Sequence, residues 1–166
     1  MCSSQPEVLD RVVVRALLMN EEGSVLLLRS TDPATQMPFW CTPGGAIDAG
    51  ESVEEALRRE LFEELRFSEF SIGAAVWSGS TEFTWRGILH RQHETLYLCQ
   101  ARGDLPIEGP FGEHEEGILE ARWWSSAEVF SSGADFRPVE LPDIIPSGPC
   151  APRRARRIPA PATTRG

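Results

Sequence analysis

The sequence predicts an α/β sandwich, a mixed β-sheet covered by helices. Three observations predict it. Val12 to Met19 is a β-branched and aliphatic run with the character of a buried strand. Ser52 to Leu65 carries helical periodicity behind its own start signal. Further strand-like segments then follow, with a second short helix after them.

The elements follow in order. Val12 to Met19 and Ser24 to Leu28 flank the turn Asn20-Glu21-Glu22-Gly23 and predict a hairpin. Ser30 to Phe39, with two prolines, predicts a loop. Ser52 is an N-cap, and Glu55 three residues on completes a capping box for a helix reaching about Leu65. Phe70 to Trp77, Gly79 to Trp85 and His93 to Ala101 read as strands. Gly103 to Gly117 is rich in Gly, Pro and Glu and reads as a loop before the strand Ile118 to Trp124. Ser125-Ser126-Ala127-Glu128 opens a short helix by the same capping logic. Beyond Gly133 proline becomes frequent and periodicity fades. The expected organisation is an extension over 1–10, one domain over 11–145 and a Pro/Arg-rich disordered tail over 146–166.

With 166 residues, 41% of them hydrophobic, the chain can bury one sizeable core. Its net charge is −9, and every basic residue is arginine. The charge is uneven: 146–166 holds five arginines and no acid, while all 25 acids lie before it. An acidic body argues against non-specific nucleic-acid binding, which needs a basic footprint. It suits an enzyme that recruits a cation and then an anionic substrate. Cys2, Cys41, Cys99 and Cys150 lie far apart with no C-x-x-C pair, so reduced thiols in a cytoplasmic protein are expected. No apolar run is long enough to span a membrane, and the N-terminus lacks the pattern of a signal peptide.

The chemistry concentrates in Gly45 to Phe67, GAIDAGESVEEALRRELFEELRF. Glu60, Glu63 and Glu64 stand at i, i+3 and i+4 of the helix, and Glu51 precedes it. With Val53 at zero, a wheel of about 100° per residue puts Glu60 near −20°, Glu64 near +20° and Glu63 near −80°. Glu60 and Glu64 therefore share the inward side with Val53 and Leu57, whereas Glu54 and Glu55 belong to a solvated face. Inward carboxylates need neutralising partners, and hard divalent cations such as Mg²⁺ favour oxygen ligands of this kind. Gly44 and Gly45 permit the tight turn that aims Glu51.

This stretch resembles the Nudix box, G-x5-E-x7-R-E-U-x-E-E-x-G-U, where U is a bulky aliphatic residue. Gly45, Glu51, Arg59, Glu60, Leu61, Glu63 and Glu64 match; Arg66 stands where the family has glycine, and the last position is the aromatic Phe67. Trp40-Cys41-Thr42-Pro43-Gly44-Gly45 resembles the family's approach to the box, and a looser likeness runs from Arg11 to Phe130. The resemblance implies a Nudix α/β/α sandwich with the box as a loop–helix–loop. It also implies Mg²⁺-dependent hydrolysis of a phosphoanhydride, with Mn²⁺ as a substitute ion. Glu60, Glu63, Glu64 and the Gly45 carbonyl would hold the metal, and Arg59 would orient carboxylates, Glu51 among them. The implied substrate is a nucleoside diphosphate linked to another moiety: a nucleotide sugar, ADP-ribose, a dinucleotide or a nucleoside triphosphate. The nearest alternatives are clean-up of an oxidised nucleoside triphosphate and a nucleotide-sensing module without turnover. Family members often form homodimers.

A glycine at position 66 would take the left-handed conformation that ends a helix, and a side chain there costs on the order of 1 kcal/mol. Arg66 is therefore expected to weaken the helix end before it touches the carboxylates. Family members also recruit a base from a later loop. Glu113, His114, Glu115 and Glu116 form an acidic cluster there, and Glu116, nearest the following strand, is the candidate. Arg29, at a strand end before the loop leading to the box, is a candidate phosphate contact. His90 and His93 flank Arg91 in what reads as a polar loop. Of Trp40, Trp77, Trp85, Trp123 and Trp124, most are expected to pack in the core, with adjacent Trp123 and Trp124 on opposite sides of their strand.

Overall fold

A computed structural model of the chain describes residues 8–85, 87–103, 105 and 117–147. Its elements are β1 (Val8–Met19), β2 (Val25–Thr31), β3 (Pro38–Cys41), β4 (Gly44–Ala46), α1 (Val53–Leu65), β5 (Phe70–Trp85), β6 (Ile88–Ala101), β7 (Glu120–Trp124), α2 (Ser126–Ser131), β8 (Phe136–Arg137) and α3 (Leu141–Ile144). The strands form one mixed sheet in the order β5-β6-β1-β2-β3-β8, with β4 on β1 and β7 on β2.

β1 is the organising strand. It runs parallel to β6 from Val8↔Leu89 to Met19↔Gln100. Its other edge takes the short β4 antiparallel, with Val14 opposite Gly45 and Arg15 opposite Gly44. Pairing with β2 is confined to Met19↔Val25, where Asn20 and Ser24 close the expected turn. The glycine turn is thus fixed by the buried half of β1, Val13 to Met19.

Alternation along the strands divides the core into two layers. Val14, Ala16, Leu18, Leu26 and Leu28 face α1 and pack on Ala56, Leu57 and Leu61. Leu17, Met19, Val25 and Leu27 face the other way, toward Trp40, Trp124, Val129 of α2, and Leu141 and Ile145 around α3. Helices on both faces make this the α/β/α arrangement expected. Trp123 packs against the α1 layer and Trp124 lies in the other, so the adjacent tryptophans do separate.

Several elements differ from expectation. β5 is one strand rather than two pieces, bulged between Ile72 and Trp77, and β6 begins at Ile88 rather than at His93. His90, Arg91 and His93 accordingly lie within a strand, not a polar loop. His90 is buried and stacks on Phe83, Arg91 pairs with Glu82, and His93 Nδ1 meets the Ser80 hydroxyl at 2.8 Å. The expected loop Ser30 to Phe39 is bounded by strand at both ends. Past Gly133, β8 pairs with β3 and α3 caps the second core layer. Residues 1–7, the acidic cluster Glu113 to Glu116 and the tail from 148 onward lie outside the described residues.

Candidate active site

α1 begins as its sequence dictates. Ser52 Oγ accepts the Glu55 N–H at 3.2 Å, and the Glu55 carboxylate accepts the Ser52 N–H at 2.8 Å. That start sets the rotation of the helix. Glu60 and Glu64 are turned inward and keep only 7% and 8% of their surface exposed, while the Glu54 side chain is 65% exposed and pairs with Arg58. Glu63 diverges from its neighbours, with a side chain 43% exposed.

The two buried carboxylates dock on the glycine turn. Gly44 donates its N–H to Glu64 Oε2 at 2.9 Å. A Cβ at Gly45 would stand 2.5 Å from the Glu60 carboxylate, so glycine leaves the cradle that this carboxylate fills. Gly44 is constrained more tightly: its φ is +138°, and a Cβ there would lie 2.2 Å from the Val14 carbonyl oxygen. No side chain is compatible with that position.

Arg59 binds the cluster together. Its Nε and Nη2 reach the two oxygens of Glu51, each at 2.8 Å, in a bidentate pair. Nη2 also donates to the Ala46 carbonyl at 2.9 Å, and Nη1 reaches Glu60 at 2.7 Å and Glu63 at 3.4 Å. The guanidinium pKa is raised above its ordinary value, first by the Glu51 hydrogen bond, against desolvation and with help from Glu60. The Glu51 carboxyl is held down at about 2, first by Arg59 and then by the Asp48 N–H. One guanidinium thus faces Glu51, Glu60 and Glu63, with Glu64 beside them on the glycine turn.

Whether this set fits a hard divalent ion can be judged from its chemistry. All donors are oxygens, two carboxylates are buried, and the cradle at Gly45 seats one of them against backbone. These features fit. The three glutamates do not, however, converge as their i, i+3, i+4 spacing suggests. Among the described residues no three His, Cys, Asp or Glu side chains close on one point. Glu63 instead pairs with Arg59 at 3.4 Å.

The other sequence candidates part company here. Arg29 does not join the box. It shares the parity of Val25 and Leu27, points to the layer opposite α1, and lies 3.8 Å from Glu120 in a cleft with Trp40, Arg122 and Trp124. The alternation of β2 separates it from the box despite nearness in sequence. Glu116 lies outside the described residues. Two residues that sequence reasoning missed stand behind the glycine turn. Arg15 donates to the Thr42 carbonyl at 3.1 Å and reaches the Gly44 carbonyl at 3.5 Å, and Glu94 lies 3.6 Å from its Nε. An arginine inside an otherwise aliphatic strand was the available signal.

Comparison with known proteins places the chain in one family. A NUDIX domain model matches residues 9–142. An RNA pyrophosphohydrolase of Wolbachia pipientis subsp. Culex pipiens (strain wPip) is 26% identical over 144 residues, 81% of this chain and 86% of that protein. The nucleoside triphosphatase NudI of Escherichia coli O139:H28 is 32% identical over 89 residues, 53% of this chain and 62% of NudI, so that match spans less than two thirds of the relative. Among solved structures, the MutT protein from Methanosarcina mazei Go1 superposes with a TM-score of 0.59 at 22% identity, covering 86% of this chain and 94% of that one. A NUDIX hydrolase from Nitrosomonas europaea gives 0.56 at 22% identity, covering 82% and 86%. At such identities the structural likeness shows the fold. Among the described residues no helix is long and apolar enough to cross a membrane.

Proposed function

The chain belongs to the NUDIX family and is a pyrophosphohydrolase of that family, and from this premise we propose that it cleaves a phosphoanhydride bond of a nucleoside diphosphate carrying a further group. The observation that carries the reading is the burial of Glu60 and Glu64 together on the Gly44-Gly45 turn, an all-oxygen donor set of the kind hard divalent ions take. Glu60 and Glu64, completed by Glu63 and the Gly45 carbonyl, would hold Mg²⁺, or Mn²⁺ in its place. Such an ion, when bound, screens phosphate charge, polarises a phosphoryl oxygen and acidifies a coordinated water.

The chain's own residues do the rest. Arg59 holds Glu51 and Glu60 in place, and its hydrogen bond is the first cause that lowers the Glu51 carboxyl to about 2. Glu63, the most exposed of the helix carboxylates in the cluster, is the one free to swing from Arg59 toward the ion or toward an attacking water. Glu116 remains the proposed base from the later loop, on its position in the sequence alone.

The two curated relatives are named for hydrolysis at nucleotide phosphates, one a nucleoside triphosphatase and the other an RNA pyrophosphohydrolase. A nucleoside triphosphate, oxidised or not, therefore leads the candidates, ahead of nucleotide sugars, ADP-ribose and dinucleotides. The charge of −9 ranks triphosphate-ended RNA lower. The test is Mg²⁺-dependent phosphate release from this panel through a coupling phosphatase, with Glu64→Gln as control. One compound class should turn over and the variant should not. A panel with no turnover from a folded, Mg²⁺-binding protein would favour the sensing module.

A further inference from the structure

We propose that Arg15 and Glu94 are positioning residues for the metal carboxylates, acting through the glycine turn; this rests on the reading of the box as a metal site. Arg15 is on β1 and Glu94 on β6, brought together by the parallel register that sets Arg15 opposite Leu96 and Val13 opposite Glu94. Both side chains are largely buried, 18% and 11% exposed. Charged side chains so placed in a sheet interior cost folding energy unless they are paired and hydrogen-bonded.

Their partners identify what they do. Glu94 sits 3.6 Å from Arg15 Nε and fixes that end of the guanidinium. Nη1 then donates to the Thr42 carbonyl at 3.1 Å and touches the Gly44 carbonyl at 3.5 Å, on either side of Pro43. The Pro43 carbonyl between them accepts the Ala16 N–H at 2.8 Å. Three successive carbonyls are thus held from β1, two of them by one side chain. The peptide they fix presents the Gly44 N–H to Glu64. The chain of contacts runs Glu94, Arg15, the turn, then Glu64. Direct hydrogen-bond partners of a metal ligand, here the Gly44 N–H, set its geometry, and their loss typically costs about 10- to 100-fold in metal affinity or activity; Arg15 acts one step further back, through the peptide that carries that N–H. Hydrogen bonds to Thr42 and Gly44 alone could be a turn staple. A buried carboxylate spent on orienting that staple argues for a geometry held within narrow limits.

The experiment is Mn²⁺ titration of the full chain, followed by electron paramagnetic resonance, with thermal melting alongside. The proteins are wild type, Arg15→Met, Arg15→Lys, Glu94→Gln and each of these on a Glu64→Gln background. Arg15→Met should raise the Mn²⁺ Kd by about tenfold, with Glu94→Gln weaker and Arg15→Lys partly restored. On the Glu64→Gln background the Arg15→Met effect should shrink to within about twofold, because the affected ligand is already gone. If Arg15→Met melts lower yet binds Mn²⁺ as wild type does, or weakens binding equally on both backgrounds, the positioning role is overturned. Should Arg15→Met fail to fold, Glu94→Gln decides by the same comparison. A wild-type chain that binds no Mn²⁺ would instead overturn the metal reading of the box.

Discussion

Glu51 shows how a single residue couples stability to acidity. Its carboxyl is at about 2 in the fold, against an ordinary 4.5, because Arg59 and the Asp48 N–H hydrogen-bond the charged form. A lowered folded pKa means stability that is whole above 4.5 and lost as pH falls toward 2. Wild type and Glu51→Gln should therefore differ in melting temperature at pH 7, and the gap should close between pH 4.5 and 2. A gap that stays constant through that window would contradict the pairing. The neighbouring glycines make a sharper contrast. Gly44→Ala drives Cβ into backbone at a left-handed φ, and it should cost the fold on the order of 3 kcal/mol. Gly45→Ala meets first the Glu60 carboxylate, the end of a side chain rather than backbone. Its melting temperature should barely change while its Mn²⁺ affinity falls about tenfold, as expected for a misplaced ligand.

At the scale of elements, α1 carries a start matched to its purpose and an end that is not. The capping box fixes the start. At the other end Arg66 adopts φ 55° and ψ 32°, its N–H bonds the Phe62 carbonyl at 2.9 Å, and the Phe67 N–H reaches the Leu61 carbonyl at 3.4 Å. This is the glycine-type helix ending executed by an arginine, whose guanidinium lies 5.4 Å from the Phe62 ring. Arg66→Gly should raise stability by about 1 kcal/mol, offset in part by the freedom glycine gains in the unfolded chain, and leave turnover unchanged. Differential melting and the phosphate-release assay check both halves. Ser52→Ala, which strips the cap at the other end, should lower stability by about 1 kcal/mol. The same helix explains what the sequence made legible. Capping and a 3.6-residue period are local, so the extent of α1 and the inward turn of Glu60 and Glu64 could be read directly. β3, β4, β8 and α3 span four residues or fewer and exist only through pairing or packing with distant strands, so no local pattern announces them. Arg15 and Glu94 escaped for the same reason, since only the β1–β6 register brings them together.

The whole molecule separates its chemistry from half of its core. The sheet carries the box on one face and α2 with α3 on the other, and few side chains belong to both. Arg29 is the instructive case: close to the box in sequence, it faces the wrong layer, where Glu120 answers its charge. Arg29→Ala should leave kcat/KM within about twofold, in line with an exposed pair of small energetic weight. Truncations of equal size in the two layers test the separation directly. Leu61 and Leu141 are both fully buried, Leu61 on α1 in the layer beneath that helix and Leu141 in the opposite layer. Each change to alanine should cost about 2–5 kcal/mol, because a leucine-sized void opens in a packed interior. Their effects on function should diverge. Leu61→Ala loosens the seat of the helix that carries the carboxylates, so it should raise the Mg²⁺ concentration needed for half-maximal turnover. Leu141→Ala should leave that concentration unchanged at temperatures where both variants remain folded. Equal shifts from the two would mean that the sheet transmits strain from one face to the other, and that the site depends on the molecule as a unit rather than on the layer beneath it.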